Sequence, residues 1–144
     1  MDAFEAIKPA RPSSTCGKRI FSRDEANRSL VLVKRIVADI VAKYCRLREL
    51  HETYQALEQQ GNIFEAEETR QQYIRITDEL ADLREEVEDV GCELKDFELG
   101  LVDFPSIRDG RQVYLCWKLG EERITCWHET NAGYAGRKPI DQTR

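Results

Sequence analysis

The 144-residue chain lacks the features that mark membrane, secreted and disulfide-stabilised proteins. No apolar run approaches the roughly 20 residues that a membrane-spanning helix needs, so we expect no membrane association. The first residues, Met1 to Glu5, have neither the basic start nor the apolar stretch of a secretory signal. The five cysteines are an odd number at unrelated spacings, a pattern typical of reduced thiols. We therefore expect a cytoplasmic protein.

Recognisable catalytic and phosphate-binding motifs are also missing. The sequence has no glycine-rich phosphate loop, no G-x-S-x-G and no H-E-x-x-H. Over residues 61–96 twelve acidic side chains stand against four basic ones, and only residues 1–23 carry a basic excess. A general nucleic-acid binder presents a basic face to phosphate, so we do not expect a nucleic-acid partner.

What the sequence does contain begins with signals for a long helix. Residues 1–18 hold prolines and serines without an apolar period, which predicts a flexible arm. A short stretch with two apolar residues, at residues 19–21, fits an edge strand. Ser22 and Glu25 fit a capping box, in which each side chain accepts from the other residue's backbone N–H. We therefore expect the first helix over residues 22–60.

A second helix is predicted over residues 63–90, after a turn at Gly61 and before a glycine cap at Gly91. Both helices carry a coiled-coil-like apolar seam with steps of three and four residues. The seams consist of Ala26, Leu30, Val33, Val37, Ile40, Tyr44, Leu47, His51 and Tyr54, then Tyr73, Ile76, Leu80, Leu83, Val87 and Val90. Two such helices form an antiparallel hairpin. Two packed helices bury only the apolar stripe between them and leave its flanks exposed to water. We therefore also expect a homodimer with the hairpin as interface.

An antiparallel sheet is predicted over residues 92–130, which makes the fold α+β with a single domain over residues 19–138. A two-residue loop at Gly120 fits a hairpin whose register is set by that loop. One predicted face carries Val113, Leu115, Trp117, Ile124, Cys126 and His128, and the opposite face carries Tyr114, Cys116 and Trp127. Residues 131–138 are expected to form a C-terminal loop and residues 139–144 a tail.

Several stretches together resemble a bacterial family known only as domain of unknown function 2203. The resemblance covers about residues 19–140 and begins at Phe21-Ser22-Arg23-Asp24-Glu25-Ala26-Asn27-Arg28. It continues through Gly100-Leu101-Val102-Asp103-Phe104-Pro105, Val113-Tyr114-Leu115-Cys116-Trp117-Lys118, Trp127-His128-Glu129 and Gly133-Tyr134-Ala135-Gly136-Arg137. The family has no established activity, so the resemblance supports the architecture and implies no mechanism.

Metal binding and thiol catalysis are both disfavoured by the predicted register. Zinc needs three or four converging ligands, and this register directs Cys116 and Cys126 to opposite faces. The chain also has no C-x-x-C pair, so we predict neither a metal site nor a cofactor. A nucleophilic cysteine needs a lowered thiol pKa, whereas Cys126 and His128 are expected among apolar side chains that raise it.

The segment from His128 to Arg137 is the remaining candidate site. Its glycines let the backbone approach a ligand, and Arg137 can bind a carboxylate or phosphate through two hydrogen bonds. The candidate ligand-binding residues are Asp103, His128, Glu129, Tyr134 and Arg137. Alternatively, the loop is structural and Arg137 pairs with Asp103 or Glu129. We expect a non-enzymatic binding or oligomer-forming protein; the alternative is a binder of a small molecule or anion, or an enzyme, that uses this loop.

Overall fold

The computed structural model of the protein describes residues 19–140, so the predicted arm at residues 1–18 lies outside the described residues. Two helices precede a five-stranded antiparallel sheet with strand order β1-β2-β3-β4-β5, which confirms the α+β prediction. The elements are α1 (Arg23–Gln59), α2 (Ile63–Val90), β1 (Glu93–Asp96), β2 (Leu101–Arg108), β3 (Arg111–Lys118), β4 (Cys126–Glu129), a short 3-10 helix (Tyr134–Gly136) and β5 (Lys138–Pro139). Within residues 19–140, no helix has the length and apolar character needed to cross a membrane.

The boundaries of both helices are set by local side-chain chemistry. The capping box at α1 is formed, with the Ser22 hydroxyl accepting from the Glu25 backbone N–H at 3.1 Å and the Glu25 carboxylate accepting from the Ser22 N–H at 2.9 Å. At the start of α2, the Asn62 side chain accepts from the backbone N–H of Glu65. Gly91 ends α2 in the left-handed conformation, with φ +113°.

Two predictions at the ends of the domain need correction. The predicted edge strand at residues 19–21 is not formed, because Phe21 contributes a single backbone hydrogen bond, from its N–H to the carbonyl of Pro105, at 2.7 Å. At the other end, the predicted tail begins too early. Pro139 belongs to β5, and Ile140 is buried with its N–H donating to the carbonyl of Thr125 at 2.8 Å.

One face of the sheet, the inner face, packs with the hairpin in a single hydrophobic core. Its buried side chains are Val102, Phe104, Val113, Leu115, Trp117 and Trp127. The same core contains Leu30, Val33 and Val37 of α1, as predicted from the apolar seam, together with Ile124 from the loop before β4. Burial of apolar surface on both sides fixes the sheet against the first half of α1.

The predicted register between β3 and β4 is wrong by one residue. Cys116 lies directly opposite Cys126, and Leu115 lies opposite Trp127. Residues 119–125 form a longer connection than the predicted two-residue loop, because Ile124 leaves the ladder and enters the core. Since side chains alternate between faces, the slip moves Cys126 and His128 to the outer face, the side turned away from the hairpin.

Part of the hairpin seam is buried within the chain itself. Leu47 and Leu50 of α1 are 0% and 3% exposed, and Tyr73 of α2 is 0% exposed. Tyr44, His51 and Tyr54 of the same seam are only partly buried. Homodimerisation through the hairpin stays a prediction.

Candidate functional site

A pocket of about 210 Å³ opens on the outer face of the sheet. Side chains of β2, β3 and β4 form its floor, and the segment after β4 forms one wall. The lining residues, which together we name the outer pocket, are Lys95, Leu101, Asp103, Tyr114, Cys116, His128, Thr130, Gly133 and Tyr134. The pocket therefore contains three of the predicted site residues, Asp103, His128 and Tyr134.

The sheet register brings three buried polar side chains together on this floor. Asp103 of β2 lies directly opposite Cys116 of β3, and His128 of β4 lies opposite Tyr114, the second residue before Cys116. Asp103, Cys116 and His128 are only 4%, 1% and 2% exposed. Their ligand atoms all lie within 4.8 Å of one another. Buried polar groups need partners, and these three supply them to one another.

The imidazole of His128 is held at both nitrogens. Its Nε2 is 3.0 Å from the Asp103 carboxylate, and its Nδ1 is 2.7 Å from the backbone carbonyl of Glu129. The backbone N–H of Gly133 can also donate to Nδ1, at 3.3 Å, but a neutral Nδ1 cannot accept there and donate to the carbonyl at once. The shorter contact, to a carbonyl oxygen that only accepts, favours the proton on Nδ1. His128 therefore directs Nε2 at Asp103 and the pocket floor.

Burial shifts the proton affinities of the floor. Burial raises the pKa of Asp103, while its hydrogen bond with His128 opposes that rise. Burial also raises the pKa of the Cys116 thiol to about 12. Both imidazole nitrogens of His128 are engaged with other groups, and the raised pKa of the thiol disfavours a thiolate. The geometry therefore does not match a cysteine nucleophile activated by histidine.

Arg137 lies beside the floor but has a different partner from either one predicted. Its guanidinium forms two hydrogen bonds with the Glu121 carboxylate, at 2.5 and 3.2 Å. One of its nitrogens also donates to the Cys116 sulfur at 3.9 Å, and the guanidinium stacks on the Tyr134 ring at 4.5 Å. The pairing with Asp103 or Glu129 that the sequence suggested is not formed.

Glu129 is the one candidate that the sheet directs elsewhere. It lies opposite Val113 in the ladder, and its carboxylate pairs with Arg111 at 2.7 Å. Adjacent residues on a strand point to opposite faces, so Glu129 cannot share the outer face with His128. Only its backbone carbonyl serves the site.

Sequence reasoning missed Tyr114 and Lys95 as site residues, and it set Cys116 aside as a metal ligand because of the predicted register. An available signal was the acidic Asp103 within the apolar run 101–104, because a buried carboxylate requires a polar partner on a neighbouring strand. The register part of the argument against a metal site is wrong, while the absence of a C-x-x-C pair stands. The predicted register placed Cys116 and Cys126 on opposite faces, whereas they are directly paired.

The fold and the pocket define a class of small α+β domain, in which a helical hairpin covers one face of an antiparallel sheet and a polar pocket opens on the other. The chain belongs to the family of uncharacterised conserved proteins DUF2203, whose family model matches residues 19–140. This confirms the resemblance seen in the sequence. No curated protein and no solved structure matches the chain.

Proposed function

We propose that this protein binds a small ligand with an anionic group in the outer pocket and does not turn it over. The observation that carries the proposal is the convergence of three buried polar side chains on the floor of an open pocket. A cluster of convergent polar groups in a concave site is the usual form of a ligand-binding site. At about 210 Å³, the pocket suits a ligand of a few heavy atoms.

The rim of the pocket supports an anionic ligand. The Lys95 ammonium lies 5.6 Å from the centre of the Tyr114 ring and pairs with Glu93 at 2.8 Å. The Lys118 ammonium lies 6.0 Å from the centre of the Tyr134 ring. Lys95 is about half exposed, so its weak surface pair with Glu93 can exchange for a ligand carboxylate or phosphate.

The arrangement of His128 favours binding over catalysis. Both nitrogens are engaged, with Asp103 and with the carbonyl of Glu129, so the ring is held as a structural part of the floor. General acid–base catalysis needs a group within hydrogen-bond reach of the substrate proton. Among the lining residues, Lys95 and Tyr134 are exposed and Tyr114 is partly buried, with its hydroxyl donating to the Glu93 carboxylate at 3.2 Å.

Chemical-shift mapping with inorganic phosphate and citrate as probes tests the proposal. We expect saturable shifts confined to amides around residues 101–103, 114–118 and 128–134. Lys95→Gln should weaken the binding about tenfold, because it removes a charged hydrogen-bond donor. Lys43→Gln is the matched control, since Lys43 lies on α1 and pairs with Glu79. Shifts scattered over the surface, or equal losses in both variants, would contradict the proposal.

A further inference from the structure

We infer that Asp103, Cys116 and His128 form a binding site for one divalent transition-metal ion of the zinc type. The site lies at the floor of the outer pocket and leaves one coordination position open towards it. The inference does not depend on the proposed anion binding. The two are linked only because the open coordination position faces the same pocket. Its ligand atoms are an Asp103 carboxylate oxygen, the Cys116 sulfur and Nε2 of His128.

The spacing of these atoms is close to that of a metal-ligand set. With bond lengths of 2.0–2.3 Å, neighbouring ligands on a tetrahedral zinc ion are separated by about 3.3–3.6 Å. Nε2 of His128 and the Asp103 oxygen are 3.0 Å apart, and all three ligand atoms lie within 4.8 Å of one another. Shifts of the ligand atoms by up to about one ångström would bring these distances to the tetrahedral spacing.

The groups around the ligands are arranged as an outer shell. A histidine that binds a metal usually donates its other N–H to a carboxylate or backbone carbonyl, which fixes the ring. Nδ1 of His128 makes this contact with the Glu129 carbonyl at 2.7 Å, and an ion at Nε2 would replace the hydrogen bond between Nε2 and Asp103. Arg137 donates to the Cys116 sulfur, an interaction that stabilises a thiolate. Glu121 neutralises Arg137, so the guanidinium adds little net repulsion against the ion.

The ligand types select the class of metal. One thiolate, one imidazole and one carboxylate suit zinc and its neighbours rather than magnesium or calcium, which prefer oxygen ligands. The carboxylate and thiolate charges together balance a dication in a site where each ligand residue is at most 4% exposed. Three protein ligands with a fourth open position are the arrangement of zinc sites that exchange water for another ligand.

Cobalt substitution provides the direct test. The full-length, chelator-treated and reduced protein is titrated with Co²⁺, and absorption is recorded in the near-ultraviolet and visible ranges. We expect one equivalent to produce a sulfur-to-cobalt charge-transfer band and the visible bands of tetrahedral cobalt, both removed by Zn²⁺. Cys116→Ser should abolish the charge-transfer band, and His128→Gln should lower the affinity by about 100-fold or more, the upper end seen for outer-shell partners.

Cys126→Ser is the matched control. Cys126 lies directly across the ladder from Cys116 but outside the group of convergent ligands, so its replacement should leave the band in place. Absence of the band in the unaltered protein, or its equal loss in both serine variants, would overturn the inference. If Cys116→Ser fails to fold, X-ray absorption of the zinc-loaded unaltered protein decides, because it must show one sulfur among nitrogen and oxygen ligands.

The same samples separate this inference from the proposed function. Phosphate or citrate shifts at the outer pocket without a cobalt band would refute the metal site alone. A cobalt band without anion shifts, in both the metal-free and the zinc-loaded protein, would refute anion binding alone.

Discussion

Trp117 connects the hydrophobic core with the loop that holds Arg137. The indole is 0% exposed, and its Nε1–H donates to the backbone carbonyl of Glu121 at 2.9 Å. Trp117→Ala removes the largest fully buried side chain and should lower the free energy of unfolding by about 3–5 kcal/mol. Trp117→Phe keeps most of the apolar contact but leaves the Glu121 carbonyl without its donor, which should cost about 1–3 kcal/mol. Urea unfolding followed by circular dichroism measures both losses.

The consequence for the outer pocket distinguishes Trp117 from other core residues. The Glu121 carboxylate pairs with Arg137, so Trp117→Phe should broaden or shift the amide signals of residues 119–125 and 137. Trp127→Phe is the control, because Trp127 is also buried on the inner face but stacks with Arg108 and Lys138. A loss below 1 kcal/mol for Trp117→Ala, or the same loop signals in both phenylalanine variants, would refute this reasoning.

Three further predictions follow from particular contacts. Asn27→Ala should lower the free energy of unfolding, measured in urea, by about 1–3 kcal/mol, because the Asn27 Oδ1 accepts from the buried Ile124 N–H at 2.8 Å. Asn27→Asp keeps an acceptor oxygen and should retain most of the stability. The backbone N–H of Ser22 lowers the pKa of Glu25 in the folded state. The stability that the ionised Glu25 contributes is therefore present above its unfolded-state pKa and is lost as pH falls through its folded-state pKa. The Tm difference between the unaltered protein and Glu25→Gln should shrink below pH 4.5, and an unchanged difference would contradict this. Alkylation counts should be equal with and without reductant, with exposed Cys45 labelled first and Cys92, whose pKa burial raises to about 12, labelled only on unfolding.

The helical hairpin was predictable because its signals are local. The capping box joins Ser22 and Glu25, three residues apart, and the glycine cap at Gly91 follows directly on the last helical turn. The apolar seams repeat every three or four residues, so each turn of helix repeats the same information. Such patterns require no knowledge of distant parts of the chain. For this reason both helices were predicted with nearly correct bounds.

The strand register was not predictable because distant contacts set it. The Ile124 N–H is bound by Asn27, which lies 97 residues earlier in the chain, and the Thr125 carbonyl accepts from Ile140. Both contacts withdraw residues 124 and 125 from the ladder with β3. A two-residue loop at Gly120 satisfies local turn preferences, but it would leave Ile124 on a strand and remove it from these partners. Tertiary contacts therefore override the turn signal.

The candidate site depends on this register more than on any single residue. Shifting β4 by one residue would move both Cys126 and His128 to the inner face. Asp103 and Cys116 would then have no imidazole beside them on the outer face. In the observed register the buried carboxylate of Asp103 meets Nε2 of His128 at 3.0 Å, which compensates its loss of water. In the shifted register the same carboxylate would be buried without that partner, at a cost of several kcal/mol. The polar floor of the outer pocket and the correct pairing of β4 therefore stabilise each other, and the residues that give the site its chemistry also help to select its fold.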